Sequence, residues 1–236
     1  KMVSSDERPG DVLEEGMFVQ DFVVHTPSLW SPESPMLYKA VSKIYEGNEL
    51  LDEYTTRFGI RTIEIVPDKG FFLNGKLTKF QGVCNHHDLG PLGAAVNDAA
   101  IRRQIRIMKD MGANAIRTSH NMPAPELVAA CDEMGMMLML ESFDEWKRPK
   151  VKNGYNKEFD EWVEKDLMNL LHQFRNNPSV VMWCIGNEVP DQWKGVTLAR
   201  MMQDICHRED PTRPVTQGMD KVAMVIKNNV AATMDV

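Results

Sequence analysis

The 236 residues carry 34 acidic and 27 basic side chains, a net charge of -7, with 43% hydrophobic residues, the composition of a globular chain able to bury a core. With no Lys/Arg stripe offsetting that balance, a phosphate backbone would be repelled, so no nucleic-acid partner is expected. The longest apolar stretches, around Met136 to Leu140 and Val180 to Ile185, fall far short of the roughly 20 residues that cross a bilayer, and no membrane span is expected.

Up to residue 66 the sequence alternates apolar and polar side chains. Met17 to Val24, Leu37 to Tyr45 and Tyr54 to Ile65 read as antiparallel strands, broken at Pro27, Pro32, Pro35 and Gly47-Asn48. Three strands are fewer than the seven or so of an immunoglobulin-like sandwich. Residues 1–66 are therefore expected to form part of an immunoglobulin-like β-sandwich lacking its first half.

After Pro67-Asp68-Lys69-Gly70 the rhythm changes to short apolar strands alternating with amphipathic helices. Strands are expected at Phe80 to Cys84, Ala115 to Thr118, Met136 to Leu140, Val180 to Ile185 and Pro214 to Gln217, with another beginning near Met234. Helices are expected from Asp98 to Gly112, from Pro125 to Gly135, from Phe159 to Arg175 and from Thr197 to His207. Such β-α-β-α order implies a parallel sheet with right-handed crossovers. No Gly-rich phosphate turn follows the first strand, and polar residues cluster after every strand, which favours a (β/α)8 TIM barrel over a doubly wound sheet. Eight units need about 250 residues, so residues 67–236 are expected to form the first five to six units of an incomplete barrel. Open strand edges of a partial barrel call for cover, by further polypeptide or by partner chains in a homo-oligomer.

The four cysteines, Cys84, Cys131, Cys184 and Cys206, sit singly in apolar segments without a C-x-x-C pair. They read as free buried thiols, not as a zinc site or disulfide framework. The seventeen methionines fall mostly at core-periodic positions and read as packing.

The polar residues at the strand ends carry the chemistry. They are Asn85, His86, His87 and Asp88; Arg117, Ser119, His120 and Asn121; Glu141, Asp144, Glu145 and Trp146; Asn187 and Glu188; and Asp220. In a barrel these groups converge on one face. Carboxylates, imidazoles and a Trp together suit a sugar, which offers hydroxyls to hydrogen-bond and an apolar ring face to stack on.

Several motifs in series resemble glycoside hydrolase family 2. They are Phe72-Leu73-Asn74-Gly75-Lys76, Gly82 to Asp88, Ala113 to Asn121, Cys131 to Gly135, and Asn177 to Glu188, with the β-galactosidase-like members nearest. Leu29 to Pro35 and Phe58 to Glu64 resemble the end of that family's central immunoglobulin-like domain. The resemblance implies retaining hydrolysis by two carboxyl groups about 5 Å apart, on terminal β-linked sugars, most readily β-galactosides, with no cofactor. Glu188 would be the acid/base. A general acid must hold its proton near neutral pH, which an apolar strand mouth with Trp183 nearby would favour. Asn187 would hydrogen-bond the sugar 2-hydroxyl; His86 and His120 would contact substrate; and Arg117 would orient the nucleophile. Asp144 and Trp146 lie in a loop where sugar could bind.

Some β-galactosidases hold magnesium with a Glu-x-His pair after the third strand; here Glu141-Ser142-Phe143-Asp144-Glu145-Trp146 stands there, so no metal is expected. The family nucleophile follows the seventh strand, which places it past Val236, so the isolated chain is expected to be inactive. Other readings are a β-glucuronidase or β-mannosidase of the same family, or a non-catalytic carbohydrate-binding module. The resemblance implies a bacterial setting and leaves periplasmic and cytoplasmic locations equally open.

Overall fold

The computed structural model of the protein describes residues 2–7 and 19–236. Of the strand expected over Met17 to Val24, Met17 and Phe18 lie outside the described residues, and residues 19–24 form no ladder. The first region contributes one antiparallel hairpin, β1 (Tyr38–Glu46) and β2 (Glu49–Phe58). The two strands are solvent-exposed along almost their whole length.

The strand expected from Tyr54 to Ile65 is broken in the middle. β2 ends at Phe58, and β3 (Ile63–Val66) pairs instead with β4 (Gly70–Leu73), which pairs with β5 (Lys76–Leu77). The break has a packing cause. Gly59 lies against the Pro178 ring so closely that a Cβ there would stand 2.5 Å from Pro178 Cγ. Arg61 turns inward to donate to the carbonyls of Pro178 and Val180.

From residue 82 the chain builds a five-stranded parallel sheet in the order β10-β9-β8-β7-β6: β6 (Gly82–His86), β7 (Ala115–Ser119), β8 (Met137–Glu141), β9 (Val180–Asn187) and β10 (Val215–Gly218). Four helices connect them: α1 (Asp98–Asp110), α2 (Pro125–Met134), α3 (Phe159–Phe174) and α4 (Val196–Glu209). The caps are local. Asn97 Oδ1 accepts from Ala100 N at 3.0 Å at the start of α1, and Gly135 takes a left-handed φ of 71° after α2. No side chain fits at Gly135, since a Cβ would meet the Pro32 carbonyl oxygen at 2.2 Å.

A short helix, α5 (Val222–Lys227), was not expected from periodicity. No sixth strand forms near Met234, although Asp235 N donates to Val215 O at 3.0 Å along the edge of β10.

The sheet separates two cores. Ile116, Leu138, Leu140, Trp183, Ile185 and Val215 face the helices and pack on α1 to α4. On the other face Ala115, Met137, Val181 and Met182 pack with Trp30, Phe71 and Leu73, closing the amino-terminal end of the strands. The carboxyl ends are left for polar groups.

Candidate active site

Glu141, the last residue of β8, is fully buried at 0% exposure. A polar group buried to that depth needs partners, and Glu141 has them. One oxygen accepts from Arg117 Nη2, and the other lies 2.7 Å from His120 Nδ1. Cys184, whose thiol is pushed up to about 12 by burial and by Glu141 beside it, contributes its Sγ at 3.5 Å. Arg117 Nη2 also donates to Asn187 Oδ1 at 2.9 Å, and Asn187 Nδ2 donates to Asp144 Oδ1 at 2.9 Å. Lys150 Nζ completes the chain of contacts, 2.8 Å from Asp144 Oδ1 and 2.6 Å from the Asn187 carbonyl oxygen. Burial acts to raise the Asp144 pKa, but the hydrogen bonds from Lys150 and Asn187 and the Lys150 charge outweigh it, holding the carboxyl below its ordinary range.

A register shift puts Asn187 in this network. Thr216 pairs with Cys184 but Gly218 pairs with Asn187, so β9 carries one extra residue. Strict alternation from the inward-facing Cys184 would turn Asn187 to the helix side; the bulge turns it inward. Two glycines make room. A Cβ at Gly218 would stand 2.4 Å from Arg117 Nη2, and one at Gly186 would stand 2.7 Å from Trp146 Nε1.

Glu188 follows at the mouth of β9. Its N–H donates to Gly218 O at 2.7 Å, and its φ of 43° is left-handed for a residue with a side chain. Such a backbone costs ~1–3 kcal/mol and persists where surrounding structure over-determines it. The Glu188 side chain is exposed, and Trp183 does not wall it: that indole is buried further down β9 and donates to Asp210 Oδ2 at 3.0 Å. The desolvating strand mouth expected from the sequence is therefore absent among the described residues.

The structure brings Arg117, His120, Asp144 and Asn187 into one network and sets His86 beside it, its ring 5.1 Å edge-on from that of His120. Trp146 is a correction. It is fully buried, with Nε1 donating to Ile185 O at 2.8 Å, so it supports β9 and offers no face to a sugar. Asp220 accepts from Gln192 Nε2 at 2.7 Å, which links two loops, and pairs with its chain neighbour Lys221.

The sequence places Glu141 among the strand-end groups without giving it a task, and Lys150 is missing from that set. Glu141 ends an apolar run just as Glu188 does, which is the signal for its place at the strand mouth. Lys150 had none, because its role depends on a loop folding back. Among the described residues no group of three or more His, Cys, Asp or Glu side chains is placed to hold a metal.

The profile described as glycosyl hydrolases family 2, TIM barrel domain, matches residues 64–236, and that of glycosyl hydrolases family 2 matches residues 2–61. The chain belongs to glycosyl hydrolase family 2. It is 51% identical to the beta-galactosidase BoGH2A of Bacteroides ovatus across 88% of this chain and 28% of that protein. It is 29% identical to a beta-glucuronidase of Bacteroides fragilis across 89% of this chain and 30% of that one. A family 2 structure from Bacteroides cellulosilyticus superposes with a TM-score of 0.86 at 38% identity, covering 90% of this chain and 28% of that chain. The family 2 chain thus spans between a quarter and a third of these relatives, and its parallel sheet belongs to the TIM-barrel domain of the family.

Proposed function

We propose that this family 2 chain is part of a retaining exo-β-glycosidase acting on terminal β-galactosides. The observation that carries the reading is the Arg117, Glu141, His120, Asn187 and Asp144 network standing beside Glu188 at the carboxyl ends of β7 to β9, the end where barrel enzymes carry out chemistry.

Each side chain then has one task. Glu188 gives its proton to the glycosidic oxygen as the bond to the anomeric carbon breaks, and afterwards takes a proton from the water that attacks the glycosyl intermediate. The attacking carboxylate comes from outside these 236 residues. Asn187 Oδ1 accepts from Arg117 and one Nδ2 hydrogen goes to Asp144, so the second hydrogen is left for the sugar 2-hydroxyl. His120 uses Nδ1 on Glu141, leaving Nε2 for a substrate hydroxyl. Arg117 Nε is buried with no partner among the described residues, consistent with a guanidinium that also faces the nucleophile.

The test is hydrolysis of aryl β-galactoside, β-glucuronide and β-mannoside by the complete gene product, by the 236 residues alone and by Glu188→Gln. Galactoside hydrolysis with retained configuration in the complete protein only, reduced about 10²- to 10⁴-fold in Glu188→Gln, is expected. Preference for glucuronide would change the sugar and keep the mechanism, and that outcome is carried by relatives named beta-glucuronidase. No hydrolysis of any glycoside by the complete protein would leave the non-catalytic module.

A further inference from the structure

The chain is acidic as a whole, but the segment from Lys147 to Lys157 is not. It holds Lys147, Arg148, Lys150, Lys152 and Lys157 and no Asp or Glu, so the reading of a chain without a basic stripe fails locally. Its placement is fixed by one carboxylate. Glu145, buried beneath the loop, accepts from the backbone N–H groups of Lys150 at 2.5 Å, Val151 at 3.2 Å and Asn156 at 2.8 Å. Gly154 is required for that closeness, because a Cβ would stand 2.1 Å from Glu145 Oε1. At its start the loop is pinned to the next one by Arg148 N, which donates to Asp191 Oδ2 at 3.0 Å.

This rigid basic loop reaches the candidate acid/base, since Lys150 Nζ contacts the carbonyl of Asn187, the peptide that leads into Glu188. Three of the cations are occupied: Lys147 by Asp160, Lys150 by Asp144 and Lys157 by Asn153. The exposed side chains of Arg148 and Lys152 have no ion pair or hydrogen bond among the described residues. Trp193, 58% exposed, stands two residues after the Asp191 that holds Arg148 N. Unpaired cations and an exposed indole on two loops joined by the Arg148–Asp191 bond fit a saccharide that carries negative charge.

We propose that this rim binds the leaving-group side of an anionic saccharide, with Arg148 and Lys152 meeting its carboxylate or sulfate ester and Trp193 stacking on its ring. The proposal rests on the glycosidase reading, because Glu188 protonates the leaving-group oxygen and the loop meets the peptide next to Glu188 through Lys150. The chemistry it selects is a uronate or sulfated unit next to the terminal sugar.

The experiment uses the complete gene product and three β-galactosyl disaccharides, whose reducing unit is neutral, carries a carboxylate or carries a sulfate ester, with aryl β-galactoside as control. A lower KM for either charged disaccharide than for the neutral one, lost in Arg148→Gln/Lys152→Gln by about fivefold or more while aryl β-galactoside hydrolysis stays within twofold, is expected; two exposed ion pairs supply that much. Raising the salt should mimic the double variant. The two charged arms tell carboxylate from sulfate. Equal KM for neutral and charged disaccharides, or equal loss on all substrates in the double variant, would overturn the proposal while leaving the glycosidase reading intact. Calorimetric binding of the same disaccharides to Glu188→Gln gives the answer even if turnover is never seen: a charge preference abolished by the double variant supports the rim, and its absence overturns it.

Discussion

The buried Glu141 carboxylate and the partly exposed His120 imidazole form a pair, Oε2 to Nδ1 at 2.7 Å, and the other carboxylate oxygen accepts from Arg117. The pair fixes which nitrogen of His120 faces inward and so which one is left for substrate. One side chain therefore sets the orientation of two others.

Glu141→Gln takes away the carboxylate that Arg117 and His120 share and leaves Arg117 partly buried against an amide. Breaking a buried pair in this way costs about 3–5 kcal/mol, to be read as a lowered midpoint in urea unfolding. Hydrolysis per folded molecule should fall at least tenfold, with kcat and KM both affected because Arg117 and His120 lose the carboxylate that positions them. Unchanged kinetics in the folded fraction would mean that the pair serves packing alone.

Gly218→Ala tests the close approach of β10 to Arg117. The added Cβ would start 2.4 Å from Arg117 Nη2 and 3.3 Å from Asn187 Oδ1, so the guanidinium must move off the amide it now holds. Overpacking of this kind costs about 1–3 kcal/mol in stability. The larger effect should be on kcat/KM, about 10- to 100-fold, because a small displacement of positioned groups is amplified in rate. Loss of stability without loss of kcat/KM would count against the network's role in positioning.

Trp30 joins the upstream segment to the barrel. It is fully buried, and Nε1 donates to the Asp132 carbonyl at 2.9 Å. Trp30→Ala should cost about 3–5 kcal/mol, measured by denaturant unfolding, with KM for aryl glycoside unchanged because the residue lies at the opposite end of the strands. Trp30→Phe should recover most of the apolar packing and lose the hydrogen bond alone.

Much of this was legible in the sequence. The sheet order follows from β-α-β-α rhythm, and the helix limits follow from Asp98, Gly112, Pro125 and Gly135, local signals that tertiary contacts did not override. Three features depended on contacts that no local pattern encodes. Ile63–Val66 left the first region because Gly59 and Arg61 are fastened to residues 178–180. Asn187 turns inward only because β9 carries a bulge against β10. Trp146 looked like a sugar platform because it sits among carboxylates in sequence, yet its ring lies under Gly186.

The pair of Asp210 and Arg213 gives a pH-dependent prediction with a definite sign. Burial acts to raise the Asp210 carboxyl, but the Arg213 charge together with Thr212 holds it below its ordinary range. Arg213 in turn is pushed down by burial, is kept charged by Asp210, and donates to the carbonyls of Val180, Arg175 and Asn177. A carboxyl whose folded pKa is depressed contributes stability that is present above its unfolded value, about 3.9, and is lost as pH falls through the lower folded value. Asp132 has the opposite sign, since burial raises it despite its bonds to Ser179 and Asn177, but it is common to both proteins in the comparison. Asp210→Asn should therefore be less stable than the parent by about 3–5 kcal/mol at pH 7, with the gap narrowing only below about pH 4. Urea midpoints at pH 7, 5 and 3 measure this, and a gap that stays constant across the three would show that the Asp210 charge is not what holds Arg213.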